Sequence, residues 1–294
     1  MDVDRVVGQI VDLVEEHYVF PEIGERIGRL LRQRLEAGAY AGLSPEELSA
    51  QVTTDLQSVN GDGHTRLRYH ADALPEDHGD AAADAVRRRE FAAEWAGGVA
   101  QVRRLEDNVG YLELAPLLFA PGDAGPAVGA AMTVLADTTA LIIDVRQCLG
   151  GDPRTVALIC GYLLDDEAVL VNSLRDRQGD LVQFWTSPAV PGRRYGSERP
   201  VAVLTSDVTW SAAEELAYDL QQLGRVRVVG ERTLGGAHNR RTFKVDPHLE
   251  ATISTSAAVN PMTGSNWEGV GVQPDIVVSS DDALETAHRL LRGR

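Results

Sequence analysis

Strand-length apolar runs alternate with helical patterns from residue 109 onward, and this alternation constrains the fold most. Residues 140–145 (ALIIDV), 200–205 (PVAVLT) and 226–230 (VRVVG) are near-continuous apolar runs bounded by turn residues. Such runs are typical of strands that are buried on both faces, and helices between them favour parallel pairing. Residues 109–294 are therefore predicted to form an α/β core, a mostly parallel sheet covered by helices.

The N-terminal segment has a different pattern, that of a small three-helix domain. Apolar residues recur at helical spacing over 3–35, and a capping box beginning at Ser44 opens a further helix. A glycine turn at 61–64 (GDGH) ends this segment. The predicted domains are a helical domain over 1–70, a connecting segment over 71–108 and the α/β core over 109–294.

The charge of the chain restricts its partners. The 294 residues include 44 acidic residues against 28 lysines and arginines, a net charge of −16. A chain this acidic is not expected to bind nucleic acid or an anionic membrane without a local basic patch. No stretch approaches the ~20 apolar residues that a membrane span requires, and no signal peptide is recognisable at the N-terminus. The expected location is cytoplasmic, and the oligomeric state is left open.

Metal and cofactor chemistry has little support in the sequence. The two cysteines, Cys148 and Cys160, are predicted to be free thiols that fill apolar space. The seven histidines are scattered, without the paired spacing of a zinc site. No phosphate-binding loop or dinucleotide fingerprint is present. We therefore expect no metal and no cofactor.

Ser211 is the strongest candidate for a nucleophile. The apolar run at 200–205 leads into a turn, and Ser211 lies at the start of the next predicted helix. Backbone N–H groups at a helix N-terminus are unpaired and carry partial positive charge. A hydroxyl placed there can attack a carbonyl while nearby amides hold the oxyanion. An ordinary N-cap serine is the alternative that the local sequence leaves open.

A second strand-to-helix turn, at 144–151 (DVRQCLGG), ends in a glycine pair. Gly150 and Gly151 let backbone amides approach a ligand closely, although a plain tight turn has the same pattern. Turns that follow neighbouring parallel strands open at the same edge of a sheet. The two turns are therefore predicted to line one crevice.

Two further side chains suit proton transfer. His64 follows a glycine turn, and an unperturbed imidazole titrates near neutral pH. If His64 is a base of this kind, its activity should fall as the pH drops through neutrality. Glu268, in the glycine-rich stretch at 260–275, could orient the base or a water, or could simply be solvated.

Taken together, these segments resemble peptidase family S41, which includes C-terminal processing proteases, the tricorn core and retinoid-binding-protein modules. The resemblance implies a ClpP/crotonase-like core and covers most of the chain in order. The segments that carry it are 209–215 (TWSAAEE, the nucleophile segment), 144–151, 230–237 (GERTLGGA) and 269–275 (GVGVQPD).

The branch of the family that the chain resembles determines which residue is expected to act as the base. Processing proteases use a serine–lysine dyad, but Gly236 stands in the place of that lysine, and the only lysine, Lys244, lies in another segment. The chain is more similar to the tricorn-like and interphotoreceptor retinoid-binding-protein-like branch, which uses a histidine. The resemblance then implies Ser211 as nucleophile, His64 as base, Glu268 as an orienting group, and N–H groups of Gly150, Gly151 and Ala212 as an oxyanion hole.

The chain also departs from the family. Cys148 lies where an asparagine is common, and the 45 residues between His64 and Gly110 are too few for a PDZ module. We expect a serine hydrolase acting on a peptide or small acyl substrate. A non-catalytic carrier of retinoid-like or fatty-acid-like ligands and a crotonase-like acyl-transfer role are the alternatives. The predicted substrate pocket consists of Trp210, Trp267 and His238.

Overall fold

The computed structural model describes residues 1–76, 78 and 80–292 of the chain. Residues 77 and 79 of the predicted connecting segment, and residues 293–294 of the predicted core, lie outside the described residues. The chain divides into two compact units. Unit 1 consists of 1–86, 174–182 and 238–258, and unit 2 consists of 87–173, 183–237 and 259–294.

The described residues form eight α-helices and eleven β-strands. The helices are α1 (Val3–His17), α2 (Pro21–Glu36), α3 (Pro45–Gln57), α4 (Ala81–Glu94), α5 (Pro121–Leu135), α6 (Pro153–Leu163), α7 (Ala212–Gln222) and α8 (Ser280–Arg292). The strands are β1 (Arg66–Tyr69), β2 (Val99–Arg104), β3 (Val109–Leu114), β4 (Ala140–Asp144), β5 (Leu170–Asp176), β6 (Leu181–Trp185), β7 (Val201–Thr205), β8 (Arg227–Gly230), β9 (His238–Asp246), β10 (Leu249–Val259) and β11 (Ile276–Val277).

The three helices predicted at the N-terminus are confirmed in unit 1. The Asp2 side chain caps α1 by accepting a hydrogen bond from the Arg5 N–H. The predicted capping box is present at α3, where Ser44 and Glu47 exchange side-chain and backbone hydrogen bonds. The apolar faces of α1, α2 and α3 are buried in one core.

That core is closed by strands that come from a distant part of the chain. β10 pairs antiparallel with β1 and with β9. Leu67 of β1 and Ala251 and Ile253 of β10 are buried in the same core as the helices. Because side chains alternate across a strand, the intervening residues point to the opposite, polar face of this sheet.

Unit 2 contains the predicted helix-covered, mostly parallel sheet. Its strand order is β11-β8-β7-β4-β3-β2, and every pair is parallel except β2 with β3. All residues of β4 and β7 are buried, which explains their unbroken apolar sequence. Asp144 is the register partner of Leu204, so the turns that follow β4 and β7 leave the same edge of the sheet.

Within the described residues, none of the helices combines the length and the apolar character required to cross a bilayer.

Candidate active site

The two turns predicted to share a crevice are hydrogen-bonded to each other in unit 2. The Trp210 N–H donates to the carbonyl of Cys148 at 3.1 Å. The Thr209 hydroxyl donates to the Val145 carbonyl at 3.0 Å, and the Ser206 hydroxyl donates to the Arg146 carbonyl at 2.6 Å. These bonds fix the turn that carries Ser211 against the turn that carries the glycine pair.

Gly150 lies directly against Ser211. Its φ is +110°, and a Cβ atom at this position would lie 2.8 Å from the Cβ of Ser211. Gly151 has a φ of +141°, and a Cβ there would lie 2.1 Å from the carbonyl oxygen of Leu118. Both positions therefore exclude a side chain, and Gly150 lies beside Ser211.

The backbone of Ser211 is unlike that of an ordinary N-cap. Ser211 has φ +54° and ψ −122°, whereas the N-caps of α3 and α6, Ser44 and Asp152, are extended, with φ of −65° and −100°. A non-glycine residue held at such angles costs about 1–3 kcal/mol and is found mainly where function requires it. Ala212, whose N–H is part of the predicted oxyanion hole, is the first residue of α7.

Glu214 holds the backbone of Ser211 in place. Its carboxylate is completely buried and accepts the Ser211 N–H at 2.8 Å. The same carboxylate accepts the Thr233 hydroxyl at 2.5 Å and the N–H groups of Gly235 and Gly236 at 2.6 and 2.8 Å. Burial raises the pKa of Glu214, and these hydrogen bonds oppose the rise. The sequence analysis gave this residue no role, although its position three residues after the N-cap is where a capping-box glutamate occurs.

Glu268 lies one step further along the same hydrogen-bond network. Its Oε2 accepts the Ala237 N–H at 2.5 Å. The Trp267 indole donates to the Gly236 carbonyl at 3.0 Å, and the Gly269 N–H donates to the Gly235 carbonyl at 2.8 Å. The loop that carries Glu268 is thus attached to the glycine turn that Glu214 holds.

His64 lies in unit 1, where it is almost completely buried. Its backbone N–H donates to the Asp62 carboxylate at 2.9 Å, and its carbonyl accepts the Thr252 hydroxyl at 2.7 Å. Burial lowers the pKa of His64 to about 3; the positive charges of Arg240, His238 and Arg66 act in the same direction, and Asp62 opposes them. The imidazole is therefore neutral at pH 7.

Asp62 organises the surroundings of His64 in unit 1. Its Oδ2 lies 2.9 Å from Nδ1 of His238 and accepts the Tyr18 hydroxyl at 2.8 Å. His238 is buried, with the Phe20 ring edge-on at 5.6 Å between centroids. The pKa of Asp62 lies below its usual range, because the hydrogen bond and charge of His238 outweigh the opposing effect of burial. Sequence reasoning missed Asp62, for which the glycines on either side were the available signal.

The tryptophans of the predicted substrate pocket differ in exposure. Trp210, next to Ser211, is partly exposed. Trp267 is only 2% exposed and lies against the Tyr218 ring at 5.3 Å between centroids.

Cys148 and Cys160 are free and buried, and burial raises the pKa of Cys148 to about 12.

Unit 2 thus combines a mostly parallel sheet with a strained serine at the tip of α7. The chain belongs to peptidase family S41, whose model matches residues 108–278. A second model, described as the N-terminal domain of Peptidase_S41 in eukaryotic IRBP, matches residues 1–93. The resemblance inferred from the sequence is therefore confirmed.

The chain is also similar to individual proteins of known sequence or structure. A carboxyl-terminal-processing protease of Picosynechococcus sp. (strain ATCC 27264 / PCC 7002 / PR-6) is 27% identical over 140 residues, 48% of this chain and 32% of that protein. The match thus spans about a third of that relative's length. The fold is similar to that of a lipoprotein from Streptococcus agalactiae (TM-score 0.67, 18% identity, 100% of this chain and 97% of that one). It is also similar to the tricorn protease (TM-score 0.62, 13% identity, 99% of this chain and 36% of that one).

Proposed function

We propose that this protein is a serine peptidase that cleaves its substrate through an acyl-enzyme, with Ser211 as the nucleophile. The observation that carries this proposal is the backbone of Ser211, held at φ +54° and ψ −122° at the tip of α7. A helix cap requires no such conformation, because Ser44, the serine cap of α3, is extended. Strain of this kind, over-determined by surrounding hydrogen bonds, is typical of catalytic residues.

The proposed base is His64. In the first step Ser211 Oγ attacks the carbonyl carbon of the substrate, and its proton passes to the imidazole. The imidazolium then gives this proton to the leaving amine as the peptide bond breaks. In the second step a water attacks the acyl carbon and passes a proton to His64, which returns it to Ser211 Oγ as the acid leaves. A neutral imidazole can accept a proton, and the lowered pKa of His64 keeps it neutral at pH 7. This assignment also rests on the resemblance to the histidine-using branch of the family.

The remaining groups have supporting roles in the proposal. N–H groups of Gly150, Gly151 and Ala212 hold the negative charge that develops on the carbonyl oxygen. The positive φ angles of both glycines and the contact of Gly150 with Ser211 support this role. Glu268 orients the site through the loop at 235–237. The substrate is proposed to be a peptide, since the relative from Picosynechococcus is named a carboxyl-terminal-processing protease.

A serine-directed fluorophosphonate tests the nucleophile. The expected result is stoichiometric labelling of the wild-type protein, with the adduct mapped to Ser211 by mass spectrometry, and no labelling of Ser211→Ala. Ser265→Ala is the matched control, because Ser265 is an exposed serine of another loop. Equal labelling of Ser211→Ala and wild type would exclude Ser211 as nucleophile. If no serine is labelled, but wild type and Ser211→Ala bind a fatty acid equally, the protein is a carrier.

A further inference from the structure

One face of the unit 1 sheet gathers positive charge in a protein that is acidic overall. Across β10, Thr252 is the register partner of Arg66 on β1, and Ser254 is the partner of Arg240 on β9. Arg68 lies two residues after Arg66 on β1. Register partners point to the same side of a sheet, as do residues two apart on a strand, so the three arginines share its polar face. We call Arg66, Arg68 and Arg240 the arginine cluster.

The arginine cluster lacks a counter-ion among the residues that the structure describes. Within 1–76, 78 and 80–292, no carboxylate lies at ion-pair distance from any of its three guanidinium groups, and the Nε of Arg66 is buried without a hydrogen-bond partner. The carboxylate on the same face, Glu250, is 2.8 Å from His78.

The three guanidinium groups are close enough to repel each other. Burial and the charges of Arg68 and Arg240 together lower the pKa of Arg66 to about 10, although Glu250 opposes them. The pKa of Arg240 is also lowered, by burial and by Arg68. Half-buried like charges destabilise one another unless an anion lies between them.

The position and chemistry of the cluster identify the anion. The planar guanidinium group matches a carboxylate, which it binds through paired hydrogen bonds. Arg66 follows two residues after His64, and Thr252, the register partner of Arg66, donates its hydroxyl to the His64 carbonyl. A group bound by the cluster would therefore lie beside the proposed catalytic base.

We propose that Arg66, Arg68 and Arg240 bind a carboxylate of the substrate, at either its C-terminus or an acidic side chain. The inference rests on the proposed function, since it assigns a binding group for the substrate of that same site. It makes the protein selective for acidic peptides or peptide ends.

Three sets of unstructured octapeptides of otherwise mixed sequence test the site. One set has a free C-terminus and no acidic residue, one has an amidated C-terminus and no acidic residue, and one is amidated with a single glutamate. Their consumption is followed by mass spectrometry with wild type, Arg66→Gln, Arg240→Gln and Arg241→Gln. Arg241 is the matched control, because it neighbours Arg240 but lies on the opposite face of β9, where its guanidinium group lies 5.3 Å from the centre of the Phe243 ring.

We expect wild type to consume at least one carboxylate-bearing set about 10- to 100-fold faster than the neutral amides, the effect of a hydrogen bond to a charged group. Arg66→Gln and Arg240→Gln should lose that preference, and Arg241→Gln should keep it. Which set is preferred identifies the source of the carboxylate. Equal consumption of all three sets by wild type overturns the inference without requiring any variant to fold. The inference is also overturned if Arg241→Gln loses the preference as fully as Arg66→Gln does.

The experiments distinguish a failure of the carboxylate site from a failure of the proposed function. If fluorophosphonate labels Ser211 and peptides are cleaved without preference, only the carboxylate site fails. If Ser211 is not labelled and no peptide is cleaved, the proposed function fails first.

Discussion

At the scale of single residues, the site depends on one strained backbone and the carboxylate that holds it. Ser211 is kept at a positive φ while Glu214 accepts its N–H together with three other donors. A buried carboxylate that accepts several hydrogen bonds is stable only as long as all its partners are donors. The geometry of Ser211 is therefore expected to be sensitive to a change of one atom in Glu214.

Glu214→Gln should slow the labelling of Ser211 by about 100-fold, since the amide nitrogen of glutamine would face a donor and break the network. The matched control is Glu215→Gln, the neighbouring buried acid on α7, which does not contact the Ser211 N–H and should label at the wild-type rate. The rate constant of labelling at pH 7.5 provides the comparison. Equal slowing of both variants would show a general effect of altering the helix and would contradict the role of Glu214.

The pH dependence of labelling is expected to depend on a single residue, His64. An unperturbed imidazole base would lose activity between pH 8 and 5, as expected from residue type alone. Burial lowers the pKa of His64 from 6.5 to about 3, and a base is active above its pKa. The rate constant of labelling should therefore stay nearly constant from pH 8 down to pH 5, with circular dichroism confirming that the protein remains folded. A sigmoidal loss centred near pH 6.5 would mean that His64 is not the base, or is not buried.

At the scale of elements, α7 carries two buried acids besides Glu214. Glu215 and Asp219 lie one turn apart on this helix, and both are buried. Asn260 donates to Asp219 at 2.9 Å, but Asp219 Oδ2 and Glu215 Oε1 are buried without partners. Burial raises the pKa of both carboxyl groups, that of Glu215 to about 7. The charge of Asp152 raises the pKa of Glu215 in addition, and the charge of Glu215 raises that of Asp219.

This pair should make the fold less stable in alkaline solution. The folded-state pKa of Glu215, about 7, lies above its ordinary value of 4.5. Its contribution to stability is therefore complete below pH 4.5 and is lost as the pH rises through 7. Glu215→Gln removes the titration, so at pH 8.5 its free energy of unfolding should exceed that of wild type by roughly 1–3 kcal/mol more than at pH 5. Urea denaturation at both pH values measures this difference, and an equal difference at both would contradict the assignment.

At the scale of the whole molecule, the core strands and the two turns can be predicted from the sequence. The hydrogen-bond partners of the side chains cannot. β4, β7 and β8 are predictable because strands buried on both faces leave an unbroken apolar pattern. The two turns are predictable because a glycine pair and a serine follow these strands. The role of His64 as a base is implied by family resemblance, since no local pattern distinguishes a catalytic histidine from a structural one.

The remainder depends on contacts between distant parts of the chain. Asp62 and His238 are 176 residues apart, and no periodicity in the sequence connects them. β9 and β10 are absent from the predicted strands, although they mix polar with apolar residues and complete the core of unit 1. Glu214 has the sequence position of a helix cap, which accounts for its bond to the Ser211 N–H. The other three of its four hydrogen bonds form only after the loop at 233–236 has folded onto it.

The most direct test of the account is a crystal structure of the protein with a fluorophosphonate bound to Ser211. The measured quantity is the distance between the Nε2 atom of His64 and the Oγ atom of Ser211. If His64 is the base, this distance should be within about 3.5 Å, or be bridged by a single water. A separation that neither a hydrogen bond nor one water can span, in every copy of the molecule, would contradict the proposed mechanism.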